Sequence, residues 1–419
     1  MEYIADLHIH SKYAMACSDA LTPENIAATA DEKGIGIIGT GDFTHPRWME
    51  EIKSKLSEDG TGLLKPSWKG SKARFVLSSE VCTIFDDGKG KIRKIHTCML
   101  VPTIEVAEQV SSQLSKFGSL DSDGRPALSN LSAAELVEIL HSVSSDIFIF
   151  PAHIWTPWFG ALGSFSGFDS IEEAYKDQAK HIMAYETGLS SDPKMNWTVS
   201  RLDKYAMISG SDAHSLPKIG REAVLLELDG ESPSFAELAA GISGRKSKLT
   251  IEFYPEEGKY HFDGHRNCGV SLAPEKSIAS GSRCPKCSRR LTIGVLHRVN
   301  ELSDREYGQV PPGAVPYVHA IPLQEVIAYV SKKGAYTRYV NDVYKKLIGR
   351  FGSEFNVLLK AGESDISEID PKLGKAIEII REDKAHVIPG YDGVFGIIDI
   401  FNEAKEAQSP GMQKSITEF

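Results

Sequence analysis

An apolar run leads directly into two histidines in the stretch Tyr3-Ile4-Ala5-Asp6-Leu7-His8-Ile9-His10. Alternation along an extended backbone points both imidazoles to the same side of a strand, where they can share one metal ion. A single His-x-His pair is also common on ordinary protein surfaces. The stretch predicts a metal site at the end of this strand if other strands bring further ligands to the same place.

Short apolar runs alternate with helical patterns from Tyr3 to about Leu228, which is typical of a parallel β/α architecture. Between the first two runs, Thr22-Pro23-Glu24 starts a helix and Gly34 ends it. The predicted strands are Tyr3–Leu7, Ile35–Gly39, Phe75–Ser78, Thr97–Val101, Ile147–Phe150, Ile182–Tyr185 and Met207–Ser209.

Side chains that can bind a metal stand at the ends of these strands. They are Asp42 and His45, Glu80, His153, Glu186, Asp212 and His214, while His96 precedes the Thr97–Val101 strand. Active sites of β/α barrels gather at the C-terminal strand ends. These ligands are too many for one ion, so we expect two or three divalent ions bridged by Glu80. Paired ions favour attack of hydroxide on a phosphoester, which makes phosphoester hydrolysis the predicted chemistry.

The composition indicates a globular chain of more than one domain, with 419 residues that are 41% hydrophobic and 25% charged. The net charge of −10, from 47 basic and 57 acidic residues, excludes a uniformly basic nucleic-acid binder. The sequence has no apolar run of about 18 residues and no signal-peptide pattern at its N-terminus. We therefore expect a cytoplasmic protein without a membrane partner.

Three of the six cysteines cluster within a short basic segment, which favours metal binding over disulfides. Cys284-Pro285-Lys286-Cys287 and His265-Arg266-Asn267-Cys268 form two knuckles with the spacing of a zinc ribbon. We predict one structural zinc ion held by His265, Cys268, Cys284 and Cys287. His261 is the alternative fourth ligand.

The composition changes near Arg245, and the segment from Gly241 to Asn300 holds 11 Lys/Arg against 5 Asp/Glu. Beyond a Pro-rich linker at residues 311–316, helical patterns return through Leu323 to Ile380. We expect three domains: a metal-dependent phosphoesterase domain at 1–243, a zinc-binding module at 244–305 and a mostly α-helical domain at 306–419.

Aromatic and basic residues suited to DNA occur in all three expected domains. Tryptophans in loops after strands can stack on a base, and basic residues of the zinc module and of the helical domain can contact phosphates. The candidates are Trp155, Trp158, Trp197, Arg266, Arg289, Arg290, Lys332 and Lys333. The alternative for Lys332, Lys333 and the tyrosines that follow them is an ordinary helix with a buried tyrosine stripe and a solvated lysine face.

The metal motifs resemble those of the PHP (polymerase and histidinol phosphatase) superfamily, whose fold is a distorted (β/α)7 barrel with a trinuclear metal site. The resemblance implies one ion bound by His8, His10, Glu80 and Asp212, a second by Glu80, His96 and His153, and a third by His214. The Thr-Asp-His triplet of the superfamily is replaced by Thr40-Gly41-Asp42-Phe43-Thr44-His45. Asp42, His45 or neither completes the set, and Asp19 is a further candidate. Glu186 either binds a metal ion itself or holds a metal ligand in place.

Five longer sequence segments resemble those of the endonuclease Q family. They are Gly39–Pro46, Glu186–Asp192, Gly264–Cys268, Leu291–Val299 and Pro389–Gly396. The resemblance covers nearly the whole chain. It implies an endonuclease that cuts damaged DNA 5′ to deaminated bases (uracil, hypoxanthine, xanthine) or abasic sites, with Asp212, Glu80 and His214 in the catalytic set. The implied cofactors are two or three Zn, Mg or Mn ions and one structural Zn. Other DNA repair or replication proteins are possible partners by the same resemblance. A small-molecule phosphatase and a non-catalytic DNA-binding protein are the alternatives.

Overall fold

The computed structural model describes residues 1–229 and 233–402. The chain forms two compact units, the first of residues 1–31, 35–251 and 298–317 and the second of residues 32–34, 252–297 and 318 onward. The predicted zinc module and helical domain thus fall mainly within one unit, and their division into separate domains stays a prediction. Residues 403–419 of the expected helical domain lie outside the described residues.

The strands are numbered in chain order. They are β1 (Glu2–Asp6), β2 (Ile37–Gly39), β3 (Leu56–Glu58), β4 (Leu64–Pro66), β5 (Arg74–Asp86), β6 (Ile92–Val101), β7 (Ala127–Ser129), β8 (Phe148–Pro151), β9 (Ala184–Glu186), β10 (Ala206–Ile208), β11 (Ala223–Glu227), β12 (Ser247–Glu252), β13 (Asp263–His265), β14 (Val270–Leu272), β15 (Tyr317–His319), β16 (His386–Ile388) and β17 (Ile397–Asp399).

The α-helices are numbered in the same way. They are α1 (Pro23–Lys33), α2 (Pro46–Lys55), α3 (Ile104–Leu114), α4 (Ala133–Val143), α5 (Ile171–Tyr175), α6 (Pro193–Trp197), α7 (Phe235–Ser243), α8 (Pro274–Ala279), α9 (Val295–Leu302), α10 (Leu323–Ser331), α11 (Arg338–Phe351), α12 (Glu363–Ser367) and α13 (Pro371–Arg381). Short 3-10 helices span Lys176–His181, Ser200–Leu202, Leu216–Lys218, Pro255–Glu257 and Arg266–Cys268, and a π-helical turn spans Asn356–Lys360.

Hydrogen bonds join the strands of the first unit into a circuit. Strand β1 pairs with β2 and β2 with β5, both in parallel, while β6 pairs antiparallel with β5 and β8. The ends of β8 and β9 are joined because the Ile154 N–H donates to the Glu186 carbonyl at 3.1 Å. Strand β9 pairs in parallel with β10, and a bridge between Ala213 and Ile9 returns to the end of β1.

Every predicted strand has a counterpart in this circuit, and the α/β class is confirmed. The expectation of a parallel architecture is wrong for β6, which forms a long antiparallel hairpin with β5. Strand β5 continues to Asp86, so Glu80 lies within the strand and does not follow it. Because β6 runs in the opposite direction, His96 in its first half lies beside Glu80. The distorted barrel of the PHP superfamily stays a prediction.

One core cluster of the first unit is formed by side chains of the strands in this circuit together with side chains of helix α7. Its buried side chains include Leu7, Val76, Leu100, Phe150 and Ile208. Burial of each large aliphatic or aromatic side chain stabilises the fold by about 1.5–3 kcal/mol. Helix α4 begins with a capping box between Ser132 and Glu135. These contacts fix the strand ends on which the site is built.

The second unit contains the cysteine motif and most of the C-terminal helices. Strands β13 and β14 form an antiparallel hairpin, as do β16 and β17. Helix α11 buries Val340, Tyr344 and Leu347, so part of the predicted tyrosine stripe packs inside this unit. No helix within residues 1–229 and 233–402 combines the length and apolar character needed to cross a membrane.

Candidate metal centre

Four side chains from two strand ends and one strand interior meet in the first unit. The ligand atoms of His8, His10, Glu80 and Asp212 all lie within 4.8 Å of one another. His10 Nε2 is 3.0 Å from Asp212 Oδ1 and 3.3 Å from Glu80 Oε2, and His8 Nε2 is 3.5 Å from Glu80 Oε2. The structure therefore brings together the four residues that the PHP resemblance assigned to one ion.

Carboxylates behind the two histidines set their tautomers. His8 Nδ1 donates to Glu186, with oxygens at 3.0 and 3.1 Å, and His10 Nδ1 donates to Asp42 Oδ1 at 2.9 Å. In the neutral form that a metal ligand requires, each imidazole presents the lone pair of its Nε2 to the cluster. A carboxylate behind a histidine is the usual support of a metal ligand. Glu186 and Asp42 therefore hold the two imidazoles in place, and neither carboxylate belongs to a group of converging ligand atoms among the described residues.

A second group shares Glu80 with the first. Glu80 Oε1 lies 2.6 Å from His96 Nδ1 and 3.0 Å from His153 Nε2, and these two nitrogens are 3.2 Å apart. The two imidazole nitrogens and the carboxylate oxygen thus converge on one place, and such a set of atoms can bind a divalent ion. The position of Glu80 between both groups is that of the predicted bridging carboxylate.

Burial and charge both act on the titration of this cluster. Burial opposes ionisation of Glu80, but the neighbouring His96 and His8 hold the pKa of this carboxyl well below its usual value. Burial likewise opposes protonation of His8, yet Cys98, Glu186 and Glu80 raise its pKa well above the usual value. Burial dominates at His96 and lowers its pKa to about 4. The carboxylates are thus held ionised and ready to bind cations.

Three residues of the centre adopt the left-handed backbone conformation that favours glycine. They are Asp42 (φ 48°), His153 (φ 28°) and Asp212 (φ 45°). Such a conformation costs roughly 1–3 kcal/mol for a residue with a side chain, and it is typical of functional sites. The surrounding contacts hold it: the Asp212 N–H donates to the His8 carbonyl at 2.8 Å, and the His153 N–H donates to Glu186 at 2.9 Å.

The donor set fits divalent metal ions. Nε2 of His8, Nε2 of His10 and Oδ1 of Asp212 are buried and make no hydrogen bond with any part of the chain that the structure describes. His10 Nε2 and Asp212 Oδ1 lie 3.0 Å apart without forming a hydrogen bond, so both atoms are available to a shared cation. Imidazole nitrogens and carboxylate oxygens are ligands suited to zinc and manganese, and carboxylates suit magnesium.

The remaining candidates of the PHP set lie at the edge of the centre or outside it. The imidazole ring of His214 packs 4.7 Å from that of His10, and its Nδ1 donates to the Asp212 carbonyl at 2.8 Å. His45 caps helix α2 by accepting from the Trp48 N–H, and it stacks on Tyr13. The side chain of Asp19 is exposed. The predicted third ion is thus left with His214 as its candidate ligand.

The sequence did not point to Arg125, which reaches the centre from the loop before β7. Its Nη1 lies 3.3 Å from Glu80 Oε2. Arg221 was missed as well, and it donates to the carbonyls of Ser211 at 2.8 Å and Asp212 at 3.2 Å. Neither arginine stands at the end of a predicted strand. The turn residues Asp121–Gly124 before Arg125 were the available signal, since they predict a loop that can return to the sheet.

The cysteine motif of the second unit forms a separate group. The ligand atoms of His265, Cys268, Cys284 and Cys287 lie within 4.8 Å of one another, and His261 is outside this group. Burial opposes ionisation of Cys284, but the backbone N–H groups of Lys286 and Cys287 lower its pKa to about 6. A thiolate is the form that binds zinc. The four residues, His265 among them, fit the predicted structural zinc ion.

The predicted DNA-binding tryptophans differ in accessibility. Trp155 is 0% exposed and donates its indole N–H to Asn196 Oδ1 at 2.8 Å. This corrects the prediction for Trp155, which is a core residue because the apolar interior and a buried acceptor both hold it. Trp158 is 38% exposed and stacks on Phe165 with ring centroids 4.8 Å apart. Trp197 is half-buried against Tyr317.

The predicted basic contacts are exposed in the second unit. They are Arg266, Arg289, Arg290, Lys332 and Lys333. Lys333 Nζ lies 3.8 Å from the ring centroid of Tyr339, which is itself exposed. A cation over an exposed aromatic ring is compatible with nucleic-acid contact and equally with a solvated helix end. Their role in DNA binding stays a prediction.

Comparison with known proteins places these features in a family. The family model described as the MJ0043 C-terminal domain matches residues 322–384. The uncharacterized protein YqxK of Bacillus subtilis is 31% identical over 418 residues, which cover 94% of this chain and 98% of YqxK. The uncharacterized protein MJ0043 of Methanocaldococcus jannaschii is 32% identical over 249 residues, which are 58% of this chain but 31% of MJ0043. This chain therefore spans about a third of the length of that relative.

Two solved structures match over almost the entire chain. The crystal structure of the lesion-specific endonuclease PfuEndoQ from Pyrococcus furiosus is similar with a TM-score of 0.85 and 31% identity, covering 97% of this chain and 98% of that one. A structure of Endonuclease Q in complex with a 27-mer duplex that has an abasic lesion at the active site matches with a TM-score of 0.83, 30% identity and the same coverage. The chain belongs to the endonuclease Q family.

Proposed function

We propose that this protein is a DNA repair endonuclease that hydrolyses the phosphodiester 5′ to deaminated bases or abasic sites. The observation that carries the proposal is the pair of His and carboxylate groups joined through Glu80. A family relative is described as lesion-specific, and another was crystallised with an abasic duplex. Damaged DNA is accordingly the proposed substrate, and other repair or replication proteins are proposed partners.

The residues that would hold the ions are His8, His10, Glu80 and Asp212 for one and Glu80, His96 and His153 for another. When bound, paired divalent ions lower the pKa of a water molecule and stabilise the charge of a phosphoester under attack. The proposed cofactors are two or three divalent ions of Zn, Mg or Mn. His214 is proposed to hold a third ion or to orient the leaving group.

The chain itself contributes orientation and charge. Asp42 and Glu186 hold the imidazoles of His10 and His8 in the tautomer that exposes Nε2. Because His214 donates its Nδ1–H to a carbonyl, its Nε2 remains available as a lone pair. Burial lowers the pKa of His214, so the ring is neutral at neutral pH and can accept a proton or bind a cation. In the net reaction, the oxygen of water forms a bond to phosphorus, one P–O ester bond breaks, and the departing sugar oxygen acquires a proton.

Selectivity for damage is proposed to arise from unstacking. A mismatched, damaged or missing base costs less to turn out of the duplex than a paired one, by up to a few kcal/mol. The exposed Trp158 and Phe165 pair, in the segment that follows β8 and His153, offers an aromatic surface for stacking. The exposed basic residues of the second unit are proposed to contact phosphates.

The experiment uses labelled duplex and single-stranded oligonucleotides that contain uracil, hypoxanthine, xanthine or an abasic site. Each is incubated with Mg, Mn or Zn and with a chelator, and the cut is mapped at nucleotide resolution. We expect cleavage 5′ to the lesion that stops with the chelator and with Asp212→Ala. Nicking by Asp212→Ala at the wild-type rate would contradict the assigned site. Hydrolysis of small phosphomonoesters without cleavage of lesion DNA would favour a phosphatase instead.

A further inference from the structure

We propose that Arg125 is a catalytic residue that donates hydrogen bonds to a non-bridging oxygen of the scissile phosphodiester. This inference rests on the proposed function in so far as the substrate is a DNA phosphodiester. Its basis is the position of one guanidinium group at the carboxylate that both metal groups share. Arg125 Nη1 is 3.3 Å from Glu80 Oε2, and a quarter of the side chain, 25%, is exposed.

Hydrogen bonds anchor the loop that carries Arg125 to segments next to the metal centre. Asp123 Oδ1 accepts from the backbone N–H of Met15 at 3.0 Å and from that of Arg125 at 3.1 Å. The Gly124 N–H donates to the Tyr13 carbonyl at 3.1 Å. After Arg125, the Pro126 carbonyl accepts from the Cys82 N–H at 3.0 Å, and β7 then pairs with β5. The backbone on both sides of Arg125 is therefore fixed.

Gly124 makes this approach possible. A Cβ atom at position 124 would lie 2.3 Å from Asp42 Oδ2 and 2.9 Å from the Ala14 Cβ. Both distances are shorter than any normal contact, so a side chain here would push the loop away from the carboxylate that orients His10. Because glycine has no side chain, the loop can approach the centre closely enough to place Arg125 beside Glu80.

The contacts of Glu80 indicate that charge compensation is not the main task of Arg125. Four imidazoles already surround this carboxylate, with nitrogens at 2.6 Å (His96), 3.0 Å (His153), 3.3 Å (His10) and 3.5 Å (His8). Once divalent ions bind this group, the negative charge of Glu80 is shared further. Arg125 then lies in a positive environment, where an external anion is its natural partner.

The guanidinium also has unused hydrogen-bonding capacity. It carries five N–H donors in a rigid planar fork, a shape that matches two oxygens of a phosphate. Its one hydrogen bond to a described residue is from Nη1 to Glu80. The other four donors, one on Nη1, one on Nε and two on Nη2, have no acceptor within residues 1–229 and 233–402. A partly exposed arginine with free donors beside a hydrolytic centre is suited to bind the phosphodiester.

The reaction gives this contact its effect on rate. As the water oxygen bonds to phosphorus and the P–O bond to the departing sugar oxygen lengthens, negative charge increases on the leaving oxygen and the non-bridging oxygens. One proton from the water ends on the leaving oxygen, so the balance requires no further reactant. A fixed cation beside these oxygens stabilises the transition state more than the ground state.

The test compares Arg125→Ala, Arg125→Lys and Arg125→Gln with a matched control, Arg47→Gln. Arg47 is an exposed arginine close to the same loop, 5.6 Å from the ring centroid of Tyr13. We expect kcat on lesion DNA to fall about 100-fold in Arg125→Ala, the effect of losing one donor to a developing charge. Arg125→Lys should retain part of the rate, and Arg47→Gln should stay within about twofold of wild type.

Two readouts separate substrate contact from a role in positioning Glu80. Added guanidinium chloride at millimolar concentration should restore part of the activity of Arg125→Ala, and metal content by elemental analysis should be unchanged. The second readout uses the Asp212→Ala background, which keeps the DNA intact. There, Arg125→Ala should reduce by about one the magnitude of the slope of log association constant against log salt concentration. Loss of bound metal without rescue would overturn the proposal, because Arg125 would then only position Glu80.

Wild-type rates in all Arg125 variants would also overturn it. If Arg125→Ala does not fold, Arg125→Lys gives the same comparison, since it keeps the positive charge and changes the donor geometry. Failure of the proposed function is a separate result: wild type would leave lesion DNA intact. The variants are then compared on bis(p-nitrophenyl) phosphate, on which a rate loss with guanidinium rescue supports the role of Arg125 and an unchanged rate refutes it.

Discussion

His10 donates its Nδ1–H to Asp42 Oδ1 at 2.9 Å, in a pair whose two side chains are both completely buried. Asp42 also accepts from the N–H and hydroxyl of Ser11 at 2.6 and 2.7 Å, so its own orientation is fixed. These bonds, with the nearby His10, lower the pKa of Asp42 against the opposing effect of burial. The pair keeps the other ring nitrogen of His10 directed at Glu80 and Asp212.

Asp42→Ala should weaken metal binding at the first group by about 10- to 100-fold, because an unsupported imidazole loses its tautomer and its orientation. The measurement is a competition titration with a chelator of known affinity. Asp19→Ala is the matched control, since Asp19 is exposed and lies outside both metal groups. Equal affinities for the two variants would show that Asp42 does not support a metal ligand.

Glu80→Gln should have a larger effect on metal content than His96→Gln. Glu80 is the residue that both groups share, whereas His96 belongs to the second group alone. We expect Glu80→Gln to reduce occupancy at both groups and His96→Gln to spare the first. Elemental analysis of the purified variants, with wild type prepared in parallel, gives the number of ions per chain. A similar loss in both variants would argue against Glu80 as a bridge.

The parts of the fold that the sequence predicted are those governed by local pattern. The stretch from Tyr3 to His10 combines an apolar run with alternating histidines, and it forms β1 followed by two buried histidines. The zinc spacing is equally local: His265, Cys268, Cys284 and Cys287 depend on two tight knuckles that backbone turns bring together. In both cases the chemistry of the ligands and their spacing determine the geometry.

The parts that the sequence did not predict depend on tertiary contacts. The direction of β6 follows from its hairpin with β5, which no periodicity distinguishes from a parallel crossover. The core position of Trp155 depends on a buried acceptor, Asn196, that is distant in sequence. Arg125 reaches Glu80 because its loop packs against Tyr13 and Met15, and neither contact has a signature in the pattern of apolar residues.

The cysteine group of the second unit should bind one zinc ion that is structural. Cys284 is buried beside Val270 and Leu291, so the metal ligand is also part of a small apolar cluster. Cys284→Ser should remove one zinc per chain and make the segment around residues 263–292 sensitive to protease, since such small modules fold only with their metal. Cys17→Ser, an isolated thiol in the first unit, is the control. Protease resistance and full zinc content in Cys284→Ser would refute the structural role.

The two tryptophans that follow β8 should respond to substitution in opposite ways. Trp155→Ala removes a fully buried indole and its hydrogen bond to Asn196, so it should lower the free energy of unfolding by about 3–5 kcal/mol. Trp158→Ala removes a half-exposed ring that stacks on Phe165, so it should change stability little. If Trp158 stacks on a base, its loss should weaken binding of lesion DNA by about 1–3 kcal/mol, or roughly 5- to 150-fold.

Chemical denaturation and fluorescence anisotropy with a labelled abasic duplex measure the two effects independently. Trp158→Phe is the conservative control, because it keeps an aromatic face and should retain most of the affinity. A Trp158→Ala variant that binds DNA as tightly as wild type would remove Trp158 from the DNA surface. The outcome for Trp155→Ala would remain informative, since loss of stability without selective loss of affinity is what burial in the core requires.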